Sequence, residues 1–361
     1  MKEVFFLSGG YQIIVVIVLV FVITAIILYK NKEKILEKKV RKIIQAESPF
    51  KSLKEGLHVL LLGTGSPMPD RSRAGTSTII LAGDKVFVVD VGDGSMRNTQ
   101  LIGFDNGTID AVFLTHYHSD HIASLGEFML NRWVGAKHTE PLDIYGPPGI
   151  ESVVKGFNEA YKLDSKYRTQ HHGEDFAPPS GAGGNPITFE LDEKEKVKVI
   201  LEEDGLKVTA FKVEHPPIKP AVGYKFEYRG KSVVVSGDTN YNKLLVEQAQ
   251  NVDLLIHDAL SVDMVKWINQ YSTKESTRTV TQDIPDYHAS PEEAAKLAQK
   301  ANVGHLVLSH IIPPLPSILL EKRFLKKVGK LYHGEITLAK DGMLISMFKE
   351  KSDDKVRNLI S

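Results

Sequence analysis

Cysteine is absent from all 361 residues. That excludes disulfide staples and thiolate metal ligands, and it leaves the redox compartment open. Net charge is lacking too, since 45 basic residues balance 45 acidic ones. A chain without an overall field has no general attraction for nucleic acid or for an acidic surface. Neither an internal repeat nor an extended low-complexity tract is visible. Stability must therefore come from a packed core, and a hydrophobic content of 42% is enough for one large domain or two.

Charge is also missing locally. No charged residue occurs from Val4 to Tyr29, and YQIIVVIVLVFVITAIILY is dense in Ile, Val and Leu. About twenty apolar residues rising 1.5 Å each span the roughly 30 Å hydrocarbon layer. The run ends in Tyr29-Lys30-Asn31-Lys32 rather than at a small-residue cleavage site, so the expectation is an uncleaved single-pass anchor over residues 1–30. Residues 31–50 follow as a basic linker helix with Ile35, Leu36, Val40, Ile43 and Ile44 at near-helical spacing. It reads equally as a solvated linker or as a collar on anionic headgroups. The excess of Lys and Arg after the anchor predicts a cytoplasmic large domain.

What is present begins with Thr115-His116-Tyr117-His118-Ser119-Asp120-His121, directly after the apolar run AVFL. Imidazole and carboxylate together suit Zn, with Mn or Fe possible. In an extended backbone, side chains alternate, so His116 and His118 share one side. Asp120 and His121 sit on the turn into a predicted helix over His121–Trp133 and can face a second metal. Further apolar runs end in potential ligands: AFKVE before His215, SVVVSG before Asp238, LLIH before Asp258 and LVLS before His310. Asp90 ends KVFVVD in the same way. Functional groups gather beyond the carboxyl ends of strands in α/β sheets.

Short β-rich runs alternate with helical patterns over residues 51–350, which predicts an α/β domain with sheets covered by helices. Residues 351–361 read as a C-terminal tail. The stretch HHGEDFAPPSGAGGNPITFELDEKEK reads as an irregular loop in which His171 and His172 are solvent-exposed rather than ligands.

The pattern H-x-H-x-D-H after a strand resembles the motif of the metallo-β-lactamase superfamily of hydrolases. The likeness runs from about Leu57 to about Met347 and is greatest to the branch holding tRNase Z (ribonuclease Z) and arylsulfatase-like enzymes. It implies a four-layer αββα sandwich and two divalent ions, most often Zn. One ion would take His116, His118 and His215, the other Asp120, His121 and His310, with Asp238 bridging and Asp90 supporting through hydrogen bonds. Two such ions can share a water, lower its pKa towards about 7 and present hydroxide to an ester. The commonest β-lactamases of this family carry cysteine where Asp238 stands, so antibiotic hydrolysis is not expected.

Two features carry the subfamily likeness. The opening GTGSPMPDRSRAGTSTIIL places Thr64 and Ser66 in a tight turn as candidate substrate contacts. His257-Asp258-Ala259 and His288-Ala289-Ser290 are similar to the HEAT and HST-like motifs of tRNase Z. Asp258 stands for the usual Glu there. Ser290-Pro291-Glu292-Glu293 predicts a capped helix start, placing His288 just before a helix N-terminus, where an anion is favoured. His288 is therefore the expected proton donor, oriented by Asp258, with Asp120 serving both catalysis and metal binding. In typical tRNase Z enzymes a long arm lies between the third-motif histidine and the bridging aspartate. Here PPIKPAVGYKFEYRGKSVVVSG alone joins His215 to Asp238. The missing arm, neutral charge and anchor favour a small or modest phosphate or sulfate ester over tRNA 3′ processing. The remaining alternative is a non-catalytic membrane-bound scaffold. Oligomeric state is open, a homodimer included.

Overall fold

The computed structural model describes residues 9–45, 48–51, 53–350 and 354–360. The chain divides into two units, Met1–Lys51 and Ser52–Ser361.

The first unit holds helices at Gly9–Lys30 and Lys32–Ile44. Among the described residues, no helix is long and apolar enough to cross a membrane. This overturns the expected single-pass anchor, of which residues 1–8 lie outside the described residues, and the cytoplasmic placement of the large domain loses the basis it had. A span needs about twenty consecutive apolar residues in one helix, and none among the described residues meets that requirement.

Among its described residues the second unit has fifteen strands. In chain order they are β1 Leu57–Gly63, β2 Ser77–Ala82, β3 Lys85–Val89, β4 Ala111–Phe113 and β5 Leu142–Gly146. β6 is Gly184–Thr188, β7 Val197–Glu203, β8 Leu206–Lys212, β9 Val222–Tyr228 and β10 Lys231–Val235. β11 is Leu254–Leu260, β12 His305–Ile312, β13 Glu335–Leu338, β14 Met343–Met347 and β15 Lys355–Asn358. One sheet has the order β15-β14-β1-β2-β3-β4-β5-β6 and the other β13-β12-β11-β10-β9-β8-β7. Strands β3 to β6 run parallel, as do β10 to β13, while the remaining neighbours are antiparallel.

Period-two alternation decides where each side chain goes. Val233, Val235, Leu254 and Ile256 point between the sheets and meet Val59, Phe87 and Phe113 there. Their neighbours Val234 and Leu255 face outward, against Leu245, Ala294, Ala298 and Phe324 of the helices on that side. Helices Leu125–Ala136 and Ile150–His172 pack on β5 of the other sheet, which gives the α/β layering expected. Phe113 is fully buried and lies on the ring of Tyr145 at 4.7 Å, with Phe87, Tyr224 and Phe226 edge-on. Phe113→Ala is expected to destabilise the domain by about 3–5 kcal/mol, read as a lower denaturant midpoint at unchanged slope.

Some local expectations differ from the structure. The helix Ile150–His172 runs into the stretch read as irregular loop, and β6 lies within it. His171 and His172 are exposed, as expected. The presumed tail contains β15, which pairs antiparallel with β14 from Met343↔Asn358 to Ser346↔Lys355. The helix over His121–Trp133 is two helices, Ser119–Ile122 and Leu125–Ala136. Between Asp258 and His288 stand helices Val262–Tyr271 and Glu275–Asp283, which were not among the predicted elements.

Candidate metal centre

Six strands deliver the chemistry from their carboxyl ends. Asp90 follows β3, His116 follows β4, His215 follows β8 and Asp238 follows β10, while Asp258 and His310 lie within the last turns of β11 and β12. Two sets of donor atoms converge, each within 4.8 Å: His116, His118, His215 and Asp238, then Asp120, His121, Asp238 and His310. Asp238 is common to both. All are buried except the half-buried His118.

The spacing fits a divalent ion. Tetrahedral ligands about 2.0–2.1 Å from zinc lie roughly 3.3 Å from one another. Asp238 Oδ2 is 3.1 Å from His121 Nε2 and 3.3 Å from His310 Nε2. Asp120 Oδ2 is 3.1 Å from His310 Nε2 and 3.6 Å from His121 Nε2. In the other set, His118 Nδ1 is 2.9 Å from His116 Nε2 and 3.4 Å from His215 Nε2. His116 Nε2 lies 3.9 Å from Asp238 Oδ2.

The outer nitrogens of His116, His121 and His215 are held by the fold, while Nδ1 of His310 has no partner among the described residues. His121 Nδ1 donates to Asp90 Oδ2 at 2.9 Å, and His215 Nδ1 donates to the Tyr287 carbonyl at 3.0 Å. Asp90 also accepts from the Thr115 amide at 2.9 Å and its hydroxyl at 2.8 Å, and that hydroxyl lies 3.2 Å from His116 Nδ1. Such partners fix the tautomer and aim the free nitrogen inward. Asp90 enters neither donor set. Tyr287 acts through its backbone and left no mark in the sequence. Thr115 was legible only as the residue before His116. Asp90→Ala is expected to weaken metal affinity about 10- to 100-fold while the domain stays folded, measured by competition with a chelating dye.

Backbone geometry places His310. In the β11–β12 ladder Asp258 pairs with Ser309 and Ala259 with Ile311, so His310 is the extra residue of a bulge. Its φ of 46° lies in the left-handed region, as does the 56° of Asp90. A bulge re-aims one side chain, and strain of this kind concentrates at functional sites.

Charge divides the two sets. Burial, then the neighbouring His121, holds His116 well below the ordinary imidazole range, and burial also lowers His118 and His215. Lowering of this kind favours the neutral rings that present lone pairs. Burial alone would depress His121 and His310 as well, but Asp238 and Asp120, joined by Asp90 at His121, outweigh it and raise both. Asp238 is held well below the carboxylate range because His121 and His310 overcome the cost of its burial. The carboxylates thus require positive charge among them, which a divalent cation supplies.

Beside this centre lies a second constellation. His288 Nδ1 donates to Asp258 Oδ2 at 2.9 Å, and its ring lies 5.3 Å from His215 and 5.2 Å from His310. His288 therefore touches a ring from each donor set without entering either. On the far side of Asp258, the fully buried His257 places Nδ1 2.9 Å from the Asp258 carbonyl. Ser290 closes a capping box with Glu293 at the helix Pro291–Lys300, so the predicted helix start is present.

The two candidate substrate contacts part company. Thr64 is fully buried, and its amide and hydroxyl both donate to Asp341 Oδ1, at 3.0 and 2.8 Å. Its side chain is committed to holding the loop, so it is not placed to meet substrate. Ser66 has no hydroxyl partner among the described residues and lines a cavity of about 1010 Å³ that reaches Asp120.

Residues 71–310 match the model of the metallo-beta-lactamase superfamily. Ribonuclease Z of Mycolicibacterium paratuberculosis is 38% identical over 262 residues, covering 72% of this chain and 87% of that protein. Among solved structures, the short form of human tRNase Z superposes with a TM-score of 0.58 at 21% identity, covering 81% of this chain and 99% of the other. The metallo-beta-lactamase fold protein YhfI of Bacillus subtilis superposes with a TM-score of 0.57 at 22% identity, covering 81% and 100%.

Proposed function

We propose that this chain, which belongs to the metallo-β-lactamase superfamily and is a metal-dependent hydrolase of that fold, cleaves RNA phosphodiesters as a ribonuclease Z. The carrying observation is the pair of donor sets sharing Asp238 with the His288–Asp258 pair against both. The similarity to ribonuclease Z supports RNA over the sulfate or small phosphate ester favoured from the residues alone. The superfamily implies divalent metal ions, typically zinc; we assign two, in the two donor sets. Bound there, they would polarise the ester and acidify an attacking water.

The chain's own groups then have distinct tasks. Asp238 and Asp120 balance the charge of the ions. Asp90 and the Tyr287 carbonyl fix two of the imidazoles. Asp258 accepts from His288 Nδ1, and the ring in its doubly protonated form would give its Nε2 proton to the departing oxygen. The short connection from His215 to Asp238 is filled by β9 and β10, so tRNA must be gripped without an arm in that position.

Precursor tRNA carrying a 3′ extension, bis-p-nitrophenyl phosphate and p-nitrophenyl sulfate, each given to zinc- or manganese-loaded protein, separate the readings. Endonucleolytic removal of the extension, with phosphodiester turnover far above sulfate turnover, is expected. Sulfate hydrolysis with an intact precursor tRNA would sink the ribonuclease reading.

A further inference from the structure

The cavity that ends on Asp120 is closed on one side by the end of the chain. Asn358, the last residue of β15, lines it together with Ile360. The wall is anchored: the Leu359 amide donates to the Gly342 carbonyl at 2.8 Å, and Ile360 lies against Gly342 so closely that a Cβ there would stand 2.5 Å from its side chain. Leu101 and Ile318, both large, apolar and exposed, line the same cavity.

Most charges on the lining are already paired. Arg73 is buried against Thr64 and the Ala339 carbonyl, Asp70 holds Ser72, Lys340 meets Glu321 at 3.5 Å, and Asp341 holds Thr64 and Ala74. Arg71 and Arg97 have no ion-pair partner among the described residues, and Asp93 is the carboxylate left to oppose them. An unpaired guanidinium is suited to phosphate, which it meets with two parallel hydrogen bonds.

We propose that this cavity is a nucleotide subsite in which the C-terminal segment forms the specificity wall. Ile360, Leu101 and Ile318 take the flat apolar body of a base, and Arg97 takes its phosphate. The assignment rests on the phosphodiesterase reading and says on which side of the centre the neighbouring nucleotide lies.

The test uses thymidine 5′-monophosphate p-nitrophenyl ester with metal-loaded wild-type, Ile360→Glu, Ile360→Lys and Arg97→Ala protein. Both Ile360 variants disturb the same packing, so a purely structural role moves them alike. A subsite for an anion separates them. Ile360→Glu should raise KM about 5-fold or more over Ile360→Lys at equal kcat and metal content, and Arg97→Ala should raise it about 2- to 5-fold. Calorimetric titration with thymidine 5′-monophosphate should give the same order. Equal KM values for the Glu and Lys variants overturn the subsite and leave the phosphodiesterase reading standing. Absence of wild-type cleavage, with the nucleotide still bound more tightly by the Lys than by the Glu variant, retains the subsite and removes that reading.

Discussion

Asp238→Ala is expected to lose both ions and about 10³- to 10⁴-fold or more of turnover, a larger loss than removal of any one histidine. The reason is geometric. Asp238 Oδ2 stands 3.1 Å from His121 and 3.3 Å from His310, and its carboxylate also belongs to the set formed by His116, His118 and His215. Each histidine serves one set, whereas Asp238 serves two. Its removal also leaves His121 and His310 without the carboxylate that most favours their charged forms. Lewis-acid stabilisation of several kcal/mol converts to rate at about 1.4 kcal/mol per tenfold, which sets the magnitude. Elemental analysis of wild-type protein after reconstitution should give two equivalents of Zn or Mn, and that of the variant far less than one. A variant with near-normal metal content and turnover contradicts the shared-carboxylate assignment.

His288→Ala is the complementary case, expected to keep both metals while turnover falls about 10²- to 10⁴-fold, the range for a lost general acid. His288 contacts the rings of His215 and His310 but contributes no donor atom to either set, so metal content should stand. Asp258 is fully buried, and His257 and His288 overcome the cost of that burial to hold its carboxyl below the usual range. An ionised Asp258 accepts from Nδ1 and orients the ring for proton donation from Nε2, so Asp258→Asn should reproduce part of the loss. The deficit should shrink for esters with good leaving groups, which need little protonation. Metal loss in His288→Ala would move this residue into the coordination sphere. Unchanged turnover on an unactivated ester would remove it from the mechanism.

The strands around the centre were legible because most are rich in apolar residues over short runs, and such runs announce themselves in one dimension. The ligands were legible because they end those runs. Less was visible wherever local polarity and tertiary position diverge. Thr64 reads as a polar loop residue available to substrate, yet Asp341 lies 277 residues along the chain and claims both its amide and its hydroxyl. The helical hairpin before His288 carries mostly polar residues, and the apolar contacts of Val265 and Ile284 come from Leu260 and Ile312 on neighbouring strands. The expected anchor failed for a different reason. Apolar composition suggested a span, but among the described residues no helix has the length and apolarity to cross a membrane.

Sequence alone pointed to the α/β class and the superfamily, because strand-end position and ligand type are local properties, and the metal-facing residues and the partnership of His288 with Asp258 were what that resemblance implied. Tertiary structure decided the rest. It brought residues 116 to 310 into two donor sets around one carboxylate and bulged β12 so that His310 turns inward. It also spent Thr64 on Asp341 and folded the end of the chain into a wall of the cavity beside Asp120. Each of these depends on which strands become neighbours, and that is fixed by burying both faces of two sheets at once, a condition no single segment carries.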